Sequence, residues 1–143
     1  MLHLVKLCVG VSEPKELAHW QKQRRAQRKA AGGPDAIFHF TRNTPRRGDE
    51  ILDGGSMYWV MKGIIRVRQR IVGFEETTRD GEACCAIRLH PKLVAVVPQP
   101  MRAFQGWRYL EAADAPADLG SAGADLAKMP PKMLAELRAL GLL

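Results

Sequence analysis

The chain has 143 residues, 46% of them hydrophobic, a formal charge of +7 and three cysteines. That length suits one domain with its own core and removes any need for disulfides or metal in folding; the composition excludes a disordered chain. The charge is uneven, with thirteen Lys and Arg against five acids between Lys15 and Arg70, and eight against nine from Ile71 to Leu143. A basic half of this kind points to RNA or another polyanion as partner.

Residues 2–11 read as a first strand, apolar on both faces and therefore central. Ser12 offers an N-cap for a helix over 13–31, with Glu13 and Pro14 in its first turn. Leu17 and Trp20 supply its packing residues. Arg24, Arg25, Arg28 and Lys29 lie late in it, where cations complement the helix dipole, and Gly32-Gly33-Pro34 ends it. A second strand follows over 37–42. Thr44 and Pro45 then open a short helix that Gly54-Gly55 stops.

Residues 57–74 read as one long strand. Its odd positions, Met57, Trp59, Met61, Ile65, Val67 and Ile71, form an apolar face. Its even positions carry Tyr58, Lys62, Arg66, Arg68 and Arg70. The expectation is that Trp59 and Trp107 are buried while the three arginines share an exposed face. Gly63 marks a bulge or bend in this strand.

Arg79-Asp80-Gly81-Glu82 signals a hairpin turn. Strands at 83–89 and 93–97 follow, separated by His90-Pro91, and a last strand runs over 101–110. The expected architecture is α+β: a curved, mainly antiparallel sheet, or a partly open small β-barrel, with flanking helices. Residues 1–111 form the core domain, 112–128 a linker, and 129–143 a C-terminal helix that packs on the core.

Three constellations are candidates for function. The first is a nucleic-acid surface made of Arg42, Arg46, Arg47, Tyr58, Lys62, Arg66, Arg68 and Arg70. Cations there contact phosphate and the aromatic ring stacks on a base. Its bland counterpart is the solvated face that any antiparallel sheet needs. The second is a pocket floor at Phe104-Gln105-Gly106-Trp107-Arg108, with Gln105 and Arg108 as polar readers beside Trp107. Ordinary core packing of the rings competes with it. The third is Asp49, Glu50 and Asp53 beside Arg46 and Arg47, either an acid–base pair or a solvated helix end with local ion pairs.

No metal is expected. His3, His19, His39 and His90 have no metal-type spacing to each other or to a cysteine. Cys8, Cys84 and Cys85 read as small buried hydrophobes suited to a reducing compartment. No Walker, Rossmann or nucleophile-elbow motif is present, and no cofactor is called for. The N-terminus lacks the features of a signal peptide, and no run reaches the roughly 18 apolar residues of a membrane span. A cytoplasmic location without membrane contact follows as the expectation.

Four stretches together carry a resemblance: Leu2 to Leu7, Asp49 to Ser56, Tyr58 to Gly63 and Phe104 to Leu110. They resemble a bacterial domain-of-unknown-function family of the DUF1489 type across nearly the whole chain. That resemblance implies no activity, cofactor or catalytic residue. At the level of fold there is a weaker likeness to PUA-like and ASCH-type barrels, which bind RNA or modified bases. The leading reading is a non-enzymatic RNA- or nucleotide-binding module. The rivals are a small enzyme for an anionic substrate, using Arg108 and the acidic turn, and a protein-interaction module.

Overall fold

The computed structural model describes residues 1–121. The expected C-terminal helix at 129–143, and the part of the expected linker after residue 121, lie outside the described residues. Within them the fold is α+β, with one mixed, mainly antiparallel sheet of six strands. The strands are β1 (Leu2–Leu7), β2 (Ile37–Thr41), β3 (Ser56–Met61), β4 (Ile64–Arg79), β5 (Glu82–Pro100) and β6 (Trp107–Glu111). Their order is β2-β5-β4-β3-β1-β6. Only β1 and β3 run parallel. The sheet stays open, and β2 and β6 are its two edges.

The helices are α1 (Pro14–Ala30) and α2 (Gly48–Leu52). Ser12 is not the cap of α1; Glu13 holds that position in extended backbone, with Pro14 at the first helical residue. The backbone N–H of Ser12 instead donates to Glu16 Oε1 at 3.4 Å. Helix α1 buries only Leu17 and leaves Trp20 and most of its charges exposed. So polar a helix gains little from apolar burial. Two polar anchors tie it down as well: Gln21 pairs with Gln69 of β4, and Arg28 Nη1 donates to the Ala36 carbonyl at 2.5 Å.

The long strand expected at 57–74 is two strands. Lys62 and Gly63 form a two-residue turn with φ of 50° and 75°, and β4 folds back along β3. Positive φ at both turn residues matches the twist of a tight hairpin. Trp59 faces Val67 across the pair and Tyr58 faces Arg68. A bulge shifts the register between Trp59 and Val60, and Arg66 is the residue it leaves over. After the bulge Ile65 joins Val60 and Tyr58 on one face, while Val67 joins Trp59 on the other.

The strands expected at 83–89 and 93–97 are one strand, β5, which passes through His90-Pro91 without ending. The register with β4 slips there, from Ile71 opposite Leu89 to Gln69 opposite Leu93. Proline tolerates this position because a bulge asks no ladder bond of it. Asp80-Gly81 makes the turn that joins β4 to β5, as expected from the Asp-Gly signal.

Both faces of the sheet carry core. One face holds Leu4, Met57, Trp59, Val67 and Ile71 together with Leu17 of α1 and Ile51 of α2. The other holds Val5, Tyr58, Val60, Val96 and Phe104. Residues 112–121, expected as linker, lie against this second face. Val97 N–H donates to the Ala117 carbonyl at 2.9 Å, and Asp118 bridges Val96. Arg68 holds Asp118 with a two-pronged contact of 2.6 and 2.7 Å. Leu119 is buried as a result.

Gly55 is where α2, β1 and β4 converge. Its N–H donates to the Ile51 carbonyl, and its own carbonyl accepts from Ile71 N–H. A Cβ at this position would stand 2.2 Å from the Leu2 carbonyl oxygen and 2.4 Å from that of Ile51. Only glycine lets these backbones meet.

Candidate functional site

The structure scatters the basic surface read from the sequence. Tyr58, expected to offer its ring to a base, is 4% exposed and packs edge-on against His3 with ring centres 4.9 Å apart. The cause is that the second sheet face is covered, not open. Arg68 is half-buried and committed to Asp118 and to Ser56 Oγ, 3.0 Å away. Arg66 sits in the bulge, partly buried, with its Nε lacking a hydrogen-bond partner among the described residues. Lys62 lies in the hairpin turn rather than in a strand, and only Arg70 of the three strand arginines is exposed. Arg47 is paired with Glu50 and, at 3.3 Å, with Glu111. Arg42 and Arg46 are exposed and make no ion pair among the described residues.

The expected pocket floor also separates. Trp107 is half-buried, not buried as expected, because it stands on an edge strand. Arg108 points away from it and lies over the Phe104 ring at 4.6 Å. Gln105 is exposed. Asp49 and Glu50 sit on α2, with Asp53 immediately after it, and Arg47 takes up Glu50.

What the fold does build is a cavity of about 280 Å³ under α1. Its walls are the end of β1, one side of α1 and the edge strand β2, and Trp59 forms its floor. Lys6 enters because β1 places it opposite Trp59, on the face that α1 covers. Trp20, Arg24 and Arg28 enter because they repeat every four residues along one side of the helix. Among the described residues edge strand β2 has a sheet neighbour on one side only, and the sheet they form leaves one row of its backbone N–H and C=O groups unpaired.

The electrostatics of this cavity are one-sided. Lys6, Arg24 and Arg28 line it, and among the described residues no carboxylate does. Lys6 makes no ion pair or side-chain hydrogen bond among the described residues, and burial holds its ammonium below the usual lysine range. The Arg24 guanidinium lies over Trp20 at 4.4 Å and that of Arg28 over Phe38 at 4.9 Å. His39 stands edge-on to Trp59 with ring centres 5.0 Å apart. Burial, and then the cations Lys6, Arg24 and Arg79, push His39 down to about 4. Its Nε2 is buried without a partner among the described residues, a cost of about 1–3 kcal/mol that a new partner would relieve. Cys8 is pushed up to about 11 by burial and by Glu16, so it remains a thiol near neutral pH.

His39 therefore stays neutral at physiological pH. Its proton affinity is lower folded than unfolded, so the unfolded chain takes up the extra proton as pH falls from about 6.5 to about 4. Stability is expected to decline across that window, approaching one proton of linkage, and His39→Gln should flatten the decline. A histidine NMR titration checks this directly. A His39 midpoint above 6 would contradict it.

None of the cavity residues was picked out by the sequence reading. The nearest signal was the four-residue spacing of Trp20, Arg24 and Arg28, three large side chains on one helix face. Dipole complementation explained those arginines equally well.

The described residues thus form a small α+β domain with a six-stranded sheet and a cationic, ring-lined cavity under one helix. A family model described as a protein of unknown function (DUF1489) matches residues 4–143, and the chain belongs to that family. No curated protein and no solved structure matches it. Among the described residues no group of His, Cys, Asp and Glu is placed to hold a metal ion, and no helix is long and apolar enough to cross a membrane.

Proposed function

We propose that the domain binds a nucleotide in the cavity under α1, either free or as one unit of an RNA strand, without turning it over. One observation carries this reading: among the described residues a cavity with an aromatic floor is lined by three cations and by no carboxylate. A phosphate group satisfies Lys6, Arg24 and Arg28, because charge-assisted bonds to guanidinium and ammonium are the strong ones. A planar base suits the Trp59 and His39 side, where flat rings already meet. The free backbone row of β2 supplies donors and acceptors for the edge of that base. The volume falls near the lower end of small-molecule sites, about 300 Å³. The thiols of Cys8, Cys84 and Cys85, all unpaired, suit a cytoplasmic setting for such a ligand.

Titration with the four 5′-ribonucleotide monophosphates, read by calorimetry and by intrinsic tryptophan fluorescence, tests the reading. At least one is expected to bind with a dissociation constant below about 1 mM, equivalent to some 4 kcal/mol. Lys6→Met should weaken it tenfold or more. Matched nucleosides without phosphate should bind at least tenfold more weakly. Equal affinity for nucleoside and nucleotide, or no binding by any of the four, would sink the proposal.

A further inference from the structure

Residues that are far apart in sequence line a second, open groove of about 690 Å³, which shares no residue with the cavity. Its sides are the loop after β2, the start of β6, and the β4–β5 hairpin near its Asp80-Gly81 turn. Arg42 and Arg46 come from the loop, and Trp107 and Tyr109 from β6. We propose that this groove is a binding site for single-stranded nucleic acid, with phosphates on Arg42 and Arg46 and an unpaired base against Trp107.

Two features favour that occupant. The arginines are exposed and make no ion pair or side-chain hydrogen bond among the described residues, so their charge is available to phosphate at little desolvation cost. The ring is held in place: Trp107 Nε1 donates to the Asn43 carbonyl at 3.0 Å, and its edge meets Tyr109 with ring centres 5.0 Å apart. Backbone Arg47 N–H donates to Tyr109 Oη at 3.2 Å, which ties the loop to β6 a second time. These bonds bring cations and a half-exposed indole into one fixed arrangement. A ring that is already ordered loses little entropy when a base stacks on it. Arg47 lies over Tyr109 at 5.4 Å, so that ring is already engaged and Trp107 is the stacking platform. Glu76 lines the groove from β4. Its carboxylate repels phosphate on that side and steers the strand backbone to the loop side.

The test is fluorescence anisotropy of labelled ten-nucleotide U and A oligomers, as RNA and as DNA, over a salt series. Binding should weaken with salt, and the two arginines should account for about 1.4 units of the log–log slope, at about 0.7 per phosphate contact. The double variant Arg42→Gln/Arg46→Gln should flatten the slope by that amount and weaken low-salt binding at least tenfold. It leaves every cavity residue in place, so its failure and failure of nucleotide binding under α1 are read separately. Trp107→Leu should weaken binding several-fold at any salt. If that variant loses its fold, quenching in a Trp20→Phe protein, where Trp59 is buried and Trp107 is the accessible indole, reads the same contact. An equal affinity for duplex of the same length would overturn the proposal, because a paired base cannot stack on Trp107. So would a double variant with unchanged slope, or an absence of binding at low salt.

Discussion

Replacing Gly55 by alanine is expected to destabilise the protein by at least about 3 kcal/mol, in the range that marks a structural lesion rather than an ordinary substitution. The added methyl would meet two carbonyl oxygens at 2.2 and 2.4 Å, both on backbone. No side-chain rotation relieves such an overlap, so α2 must move away from β1 or the Gly55–Ile71 bond must break. Gly73→Ala is the control. A Cβ there meets only Arg88 Cβ, at an ordinary 3.7 Å. Urea denaturation of both variants decides the point. A Gly55→Ala protein within 1 kcal/mol of wild type, a bound chosen at about the size of a typical mutational effect, would show that the convergence is looser than the structure has it.

Gln69→Leu is expected to cost about 3 kcal/mol although it places a good hydrophobe in a buried site. Gln69 is fully buried and uses its whole hydrogen-bonding capacity. Its Oε1 accepts from Gln21 Nε2 at 2.9 Å and from Trp59 Nε1 at 3.2 Å. Its Nε2 donates to Gln21 Oε1 and to the His90 carbonyl, each at 2.8 Å. One amide thus joins α1, β3, β4 and β5. Leucine strands the indole N–H and the carbonyl at once, and an unmet buried polar group is more costly than a made bond is favourable. Denaturation gives the energy, and the amide exchange of α1 reports whether the helix loosens first. A Leu variant as stable as wild type would mean that these bonds contribute nothing net.

Much of the architecture was legible in the sequence. The α+β class, the buried N-terminal strand, helix α1 and the Asp80-Gly81 hairpin follow from hydrophobic runs, proline and glycine positions, and turn chemistry. The Lys62–Gly63 hairpin did not. The two-residue turn exchanges the parity of the two faces, placing Ile65 with Val60, and the bulge at Arg66 exchanges it back. Val67 and Ile71 thus return to the face of Met57 and Trp59, and the sequence alternation reads on as if no turn were there. Period two reports faces and is blind to a reversal of direction. Tyr58 and Arg68 were expected on one face of a single strand, and they stand opposite each other across two. Pro91 misled for a related reason, since a bulge lets a strand pass through a proline that would otherwise end it.

The cavity was illegible because its parts are distant and individually ordinary. Lys6 interrupts a strand, Arg24 and Arg28 suit a helix end, and His39 and Trp59 alternate within strands. Their meaning depends on α1 packing across the sheet face between β1 and β2, over the strands that separate them. Conversely, Tyr58 and Arg68 looked like a binding surface because sequence does not show what covers a sheet face. Here it is the segment carrying Asp118.

The sheet order has a consequence for how the chain acquires its shape. Strand β1 lies between β3 and β6, and its partners begin some fifty and a hundred residues downstream. On the ribosome the first strand emerges long before either neighbour exists, and it cannot be enclosed until the last has been made. High contact order of this kind slows folding and prolongs the exposure of unpaired apolar strand. The residues from Leu2 to Leu7 are therefore where a chaperone would be expected to hold the nascent protein.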